Sequence, residues 1–211
     1  MKIMLAAAAT AIGLAAAMPA SATVWTSQAA FDAANPGLNQ VTFPGTGAAP
    51  NGYTLGGVTF FGPFLNNIPA GDDGAAVNML IDNELGGQIG MALPGSDAIG
   101  LLLSQGLGFA GAPLTSAPVS LVAYNGATVV YSGTPIAGDF ASLTFFGLSG
   151  LGPITSLTIS TDPTDQFPGI GLVEYGSAVP EPATWAMMLI GFAGLGAALR
   201  STRRRAQVQA V

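Results

Sequence analysis

Ten carboxylates lie between Thr23 and Val179: Asp32, Asp72, Asp73, Asp82, Glu84, Asp97, Asp139, Asp162, Asp165 and Glu174. The five basic residues, Lys2, Arg200, Arg203, Arg204 and Arg205, all fall outside that stretch. Ten acids and no bases give the segment a side-chain charge of −10, so no internal ion pair can form there. Such acids can bind hard cations or move protons. Asp72 and Asp73 sit in Gly71-Asp72-Asp73-Gly74, where two carboxylates share a tight turn. Oxygen ligands of that kind suit Ca2+, the one cofactor the residues point to; Gly and Asp also favour a plain solvated turn. Asp82-Asn83-Glu84 and Asp162-Pro163-Thr164-Asp165 offer further oxygens, and neither has EF-hand spacing. Two carboxylates across a sugar ring would hydrolyse a glycosidic bond. Ten acids supply such pairs by chance, so a glycosidase-like, polysaccharide-processing passenger is the alternative and a non-catalytic one the main expectation.

Other chemistry is excluded outright. The chain has no Cys and no His, which removes disulfides, zinc sites of the usual ligands, and Ser–His–Asp or Cys–His catalysis. Without Lys or Arg to hold phosphates, the central segment does not bind nucleic acid. Tyr53, Phe60, Phe61, Phe64, Tyr124 and Tyr131 would make either a sugar-stacking platform or core.

These residues need a scaffold, and the punctuation says which. Thirty Gly and fifteen Pro in 211 residues, about a fifth, mean many turns without low complexity. Strand-like runs recur at Gln40–Phe43, Val58–Phe61, Ile99–Leu103, Val119–Tyr124, Thr128–Tyr131, Leu143–Phe146, Ile154–Ser160 and Leu172–Tyr175. Ile154–Ser160 alternates apolar and hydroxyl residues, the pattern of a half-buried strand. Asn125-Gly126-Ala127 between two runs reads as a hairpin turn. Ser27–Ala34 reads as a helix stopped by Asn35-Pro36-Gly37. Gly106, Gly108 and Gly111 read as loop. The expected fold is all-β: a jelly-roll-like β-sandwich passenger with one short N-terminal helix, plus a single C-terminal transmembrane helix.

Both ends carry addresses. Met1-Lys2, the apolar run Ile3–Met18 and Ala20-Ser21-Ala22 form a signal peptide, cut by signal peptidase between Ala22 and Thr23. Near the other end, Trp185–Leu199 is uncharged and apolar, about 22 Å long as a helix and a marginal span of the inner membrane. Arg200, Arg203, Arg204 and Arg205 form a basic stop that the positive-inside rule places in the cytoplasm, with the passenger outside. Before the helix, Pro180-Glu181-Pro182 is held extended by its two prolines. The expected division is 1–22 signal peptide, 23–179 passenger, 180–205 sorting tail and 206–211 short cytoplasmic tail.

Pro180, Glu181, Pro182, Trp185 and Ala186, followed by the apolar run and the arginines, resemble the PEP-CTERM sorting signal of Gram-negative bacteria in its PEPxxWA variant. The resemblance implies processing near Pro-Glu-Pro by an exosortase, a membrane-embedded cysteine transpeptidase, and a link to extracellular polysaccharide, biofilm or the cell envelope. It implies an inner-membrane intermediate and then the outer surface or matrix. The alternative is a single-pass anchor that is never processed. Weaker echoes of passengers found with such tails, at Trp25–Phe31, Gly57–Phe60 and Phe145–Gly147, imply a sandwich of carbohydrate-binding-module type.

Overall fold

Two prolines and a few glycines decide how this chain becomes a sandwich, because they bend its longest strands at matched positions. The structure, a computed structural model, describes residues 22–72, 75–107, 117–161, 166–177, 188–195 and 200. In chain order the elements are β1 (Thr23–Trp25), α1 (Gln28–Ala34), β2 (Asn39–Thr42), β3 (Tyr53–Leu55), β4 (Val58–Phe61), β5 (Leu65–Ile68), β6 (Met79–Asp82), β7 (Gln88–Leu107), β8 (Ala117–Pro118), β9 (Ser120–Asn125), β10 (Thr128–Gly133), β11 (Ile136–Ala137), β12 (Thr144–Ser160) and β13 (Gln166–Gly176). All pairing between named strands is antiparallel.

β7 and β12 pair twice, as Ala98–Leu103 with Thr144–Ser149 and as Gln88–Ala92 with Ser156–Ser160. Between the two blocks the register shifts. The bends coincide with Pro94-Gly95 on β7 and Gly150-Leu151-Gly152-Pro153 on β12, where Gly95, Gly150 and Gly152 have φ of 82°, 78° and 75°. Left-handed backbone of that kind is open to glycine and strained for other residues. Each long strand therefore contributes to two layers. One layer runs β1, the first half of β12, the second half of β7, β13, then β2 and β6 with β5. The other runs β3, β4, the first half of β7, the second half of β12, β9 and β10.

The layers meet through apolar side chains from both. Phe43 packs on Phe60 with ring centroids 5.5 Å apart, and Tyr131 on Phe146 at 5.9 Å. The Tyr175 hydroxyl donates across the layers to the Gly56 carbonyl. Leu101, Leu121, Leu148, Leu157, Ile159 and Val173 are buried in the same core. A smaller cluster of Ile68, Met79, Ile81 and Phe140 closes one end. The all-β, jelly-roll-like sandwich is thus the fold.

The helix is where the sequence places it. Ser27 caps α1, its hydroxyl accepting from the Ala30 amide at 3.4 Å, and Asn35 stops it, donating from its side chain to the Phe31 carbonyl at 2.8 Å. Phe31 alone is buried on this helix. It sits over Gly100 and Gly147, which are register partners on β7 and β12. A Cβ on Gly100 would lie 2.8 Å from the Phe31 ring and 2.9 Å from Phe145. Gly100→Val is therefore expected to cost about 1–3 kcal/mol through overpacking, a fall in melting temperature of roughly 2–10 °C in a protein of this size, read by circular dichroism.

Several expectations need correction. The strands are more numerous and longer than eight short runs: β7, β12 and β13 have 20, 17 and 11 residues. Leu143–Phe146 and Ile154–Ser160 are two ends of one bent strand, because Gly-Leu-Gly-Pro turns the chain without ending its pairing. Gly106 is not loop but a β7 residue paired with Phe167, its missing side chain making room for the Phe140 ring. Gly108 and Gly111 lie outside the described residues. The Asn125-Gly126 turn closes with Asn125 opposite Thr128 and Gly126 at φ 58°.

Candidate functional site

A shallow two-lobed groove opens where the β3–β4 hairpin meets the turn into β5. Gly56 and Gly57, at φ 57° and 83°, make the hairpin turn. β4 then alternates: Val58 and Phe60 point into the core, and Phe61 points out. Gly62-Pro63-Phe64 carries the chain into β5, and Phe64 also stays in solvent. Phe61 and Phe64 are 44% and 58% exposed, unusual for rings of this size.

The walls are fixed by backbone contacts. Ala48 bridges Asn66, the Gly52 amide donates to the Phe60 carbonyl at 2.9 Å, and the Gly62 amide donates to the Asn51 side chain at 3.4 Å. One lobe, about 340 Å³, holds Phe64 with Asn51, Asn66 and Asn83. The other, about 380 Å³, holds Phe61 with Asn51 and Gln88. The lobes share Asn51 and Pro63 and so form one continuous surface. Its polar lining is made of side-chain amides, each of which both donates and accepts. Gly62 lines the Phe61 lobe. A Cβ there would lie 2.6 Å from Leu65, 2.8 Å from an Asp82 oxygen and 2.9 Å from the Gln88 carbonyl.

Asp82 lies directly beneath, fully buried at the end of β6. Burial raises its pKa; the backbone amides of Gln88, Glu84 and Phe64 oppose this, and the nearby Glu84 charge adds to the rise. A second buried carboxyl, Glu174 near the end of β13, ties three elements together. Its Oε1 accepts from Gln28 Nε2 of α1 at 3.0 Å and from Gln40 Nε2 of β2 at 2.7 Å. Its Oε2 lies buried without an N–H donor, beside the carboxyl of Asp32. Burial raises the Glu174 pKa most. The Gln28 amide opposes it, the charge and hydrogen bond of Asp32 raise it further, and the Gln40 amide lowers it.

Glu174, its pKa raised, thus has a second carboxyl beside it in Asp32, and a glycosidase also uses two carboxyls. Geometry denies them that role, since Glu174 has no surface to offer a sugar. Asp72 stands exposed in its turn, and Asp73, Asp162 and Asp165 lie outside the described residues. Among the described residues no three acids converge on a point a metal ion could occupy.

Of the six aromatics singled out in the sequence, Phe60 is core, Tyr53 and Tyr131 pack against it, and Tyr124 is half-buried. Among them Phe61 and Phe64 are the exposed ones, one in each lobe. The amides Asn51, Asn66, Asn83 and Gln88 were not singled out. They are scattered in sequence, and nothing in their types marks them as a set.

At the N-terminal end, Ala22 and Thr23 are exposed and Thr23 opens β1, while Ala20 lies outside the described residues. So do Pro180, Glu181, Pro182, Trp185, Ala186, Arg203, Arg204 and Arg205. Residues 188–195 and Arg200 are helical, with Leu189, Ile190, Phe192 and Leu195 exposed. No helix among the described residues is long and apolar enough to cross a membrane.

The described residues between 22 and 177 form a jelly-roll-like β-sandwich with an aromatic and amide groove, and a mostly apolar stretch follows in the sequence. Residues 178–205 match the PEP-CTERM protein-sorting motif. No curated protein matches the chain. Among solved structures it is similar to a carbohydrate binding module of family 29, at 14% identity, covering 78% of this chain and 97% of that one with a TM-score of 0.39. Mutants of CBM29-2 complexed with mannohexaose and with cellulohexaose match at 14% identity each, covering 67% and 66% of this chain and 94% of theirs, with a TM-score of 0.37 for both.

Proposed function

We propose that the protein is exported, processed through its tail by an exosortase, and held at the outer surface or in the extracellular matrix. There its passenger binds polysaccharide without cleaving it. The groove that carries Phe61 and Phe64 supports the binding role: two exposed rings beside amides are a surface for stacking on sugar faces and hydrogen bonding to hydroxyls. The motif at residues 178–205 supports the route. Trp185–Leu199 with Arg200, Arg203, Arg204 and Arg205 serves as the inner-membrane stage, and Pro180-Glu181-Pro182 as the extended handle for the transpeptidase. A Ca2+ ion at Asp72 and Asp73 belongs to the same proposal, as a brace for the loop they occupy.

The intact mass of the protein recovered from the cell envelope and the medium tests the route. The expected mature form begins at Thr23 and ends near Pro182. Pro180→Ala combined with Pro182→Ala is expected to abolish C-terminal processing and leave the chain in the inner-membrane fraction. A native protein that still ends at Val211 would refute the sorting step.

A further inference from the structure

The chemistry of the groove names the kind of polysaccharide, and this inference rests on the binding role just proposed. We infer that the groove takes an uncharged pyranose chain, with one sugar stacked on Phe61 and a neighbouring one on Phe64.

Charge carries the first part of the argument. An acidic polysaccharide presents carboxylates or sulfates, which proteins hold with Arg or Lys through charge-assisted hydrogen bonds. Between Thr23 and Val179 there is no Lys, Arg or His. An anionic chain in this groove would meet Glu84, exposed next to Asn83, and the Asp82 carboxyl below Gly62. It would be repelled by its nearest charged neighbours with nothing to offset the loss of hydration.

A cationic chain fails for a different reason. A surface with several exposed carboxylates and no bases attracts polycations at many points, so their binding is delocalised and fades with salt. The lining itself carries no carboxylate: its aromatic and polar residues are Phe61, Phe64, Asn51, Asn66, Asn83 and Gln88, and the rest are Ala, Pro, Leu and Gly. Amides that donate and accept are matched to hydroxyls, which do the same.

Two lobes make the ligand a chain. Each lobe has one ring and its own amides, and Asn51 faces both. Neighbouring sugars of one polymer can fill the two together, the second at high effective concentration once the first is bound.

The full chain, held in a non-glycosidic detergent, tests this by calorimetry against three soluble probes: a neutral galactomannan, polygalacturonate and chitosan, each at low and at 0.5 M salt. The expected result is binding of the neutral polymer that changes less than about twofold with salt. Phe61→Ala and Phe64→Ala are each expected to weaken that binding about fivefold or more, the loss set by one desolvated aromatic contact, while their melting temperatures stay with the parent. Salt-resistant binding of polygalacturonate or chitosan in place of the neutral polymer would overturn the inference and leave polysaccharide binding standing. So would neutral binding that neither variant weakens. Binding of none of the three would remove the polysaccharide reading itself.

Discussion

Lowering the pH from 7.5 to about 4.5 is expected to raise the melting temperature of this protein, by on the order of 5–10 °C for two buried carboxyls. Acid usually does the reverse, because native carboxylates are mostly paired and have depressed pKa values. Here Asp82 and Glu174 both have raised values, with burial the leading cause. A group whose folded pKa exceeds its unfolded one binds its proton more tightly in the folded state. Its stabilising contribution is complete below the unfolded pKa, near pH 4 for a carboxyl, and is lost as pH rises through the folded value. Net charge acts in the same direction, since a segment of ten acids and no bases repels itself more as its negative charge grows.

Glu174→Gln separates the local cause from the general one. The amide keeps an oxygen for Gln28 and Gln40, and its nitrogen can donate to Asp32, where a charged Glu174 would meet a second carboxylate. Removing a carboxyl whose charged form is disfavoured by burial is expected to stabilise the protein by about 1–3 kcal/mol at pH 7.5. The gain should shrink toward zero at pH 4, where the parent carboxyl is already neutral. Thermal melts across pH 4–8 for both proteins read this directly. A parent that melts lower in acid, or a variant less stable than the parent at pH 7.5, would show that Glu174 is held as a useful anion.

How much of this was legible depended on whether the deciding contact was local. Ser27 and Asn35 bracket α1 through bonds that span three or four residues, and the helix was readable to within one residue. Val58–Phe61 was readable because Gly56-Gly57 marks its start and bulky residues fill it. The alternation of Ile154–Ser160 survives in the burial of Leu157 and Ile159 against half-buried Thr158 and Ser160. β6 was missed because all four of its residues are buried, so it has no alternation, and its Asp82 looks like the start of a polar turn. Glu174 left a trace that could have been followed: a lone carboxylate inside Ile170–Tyr175, a run otherwise fit for a core. The groove left none, since Ala48 must meet Asn66 before Asn51, Asn83 and Gln88 face one space.

Phe60 and Phe61 show why adjacent identical residues must be told apart by structure, and they give the second large effect. Strand geometry sends neighbours to opposite faces. Phe60 is fully buried, with Phe43 at 5.5 Å and Tyr53 at 6.3 Å between ring centroids, and it bridges the two layers. Phe60→Ala is expected to cost about 3–5 kcal/mol through lost burial and the cavity left behind, enough to leave a marginally stable domain largely unfolded at 37 °C. Phe61→Ala, one residue on, removes a ring that is 44% exposed and lies over Gly90 across the β4–β7 pairing. Its cost to stability should stay within about 1 kcal/mol. Urea denaturation of both variants checks the contrast. Equal losses of stability would mean that Phe61 is part of the core and that its exposure serves no ligand. A large loss for Phe60 alone would place the Phe61 ring outside the core, free to meet a ligand.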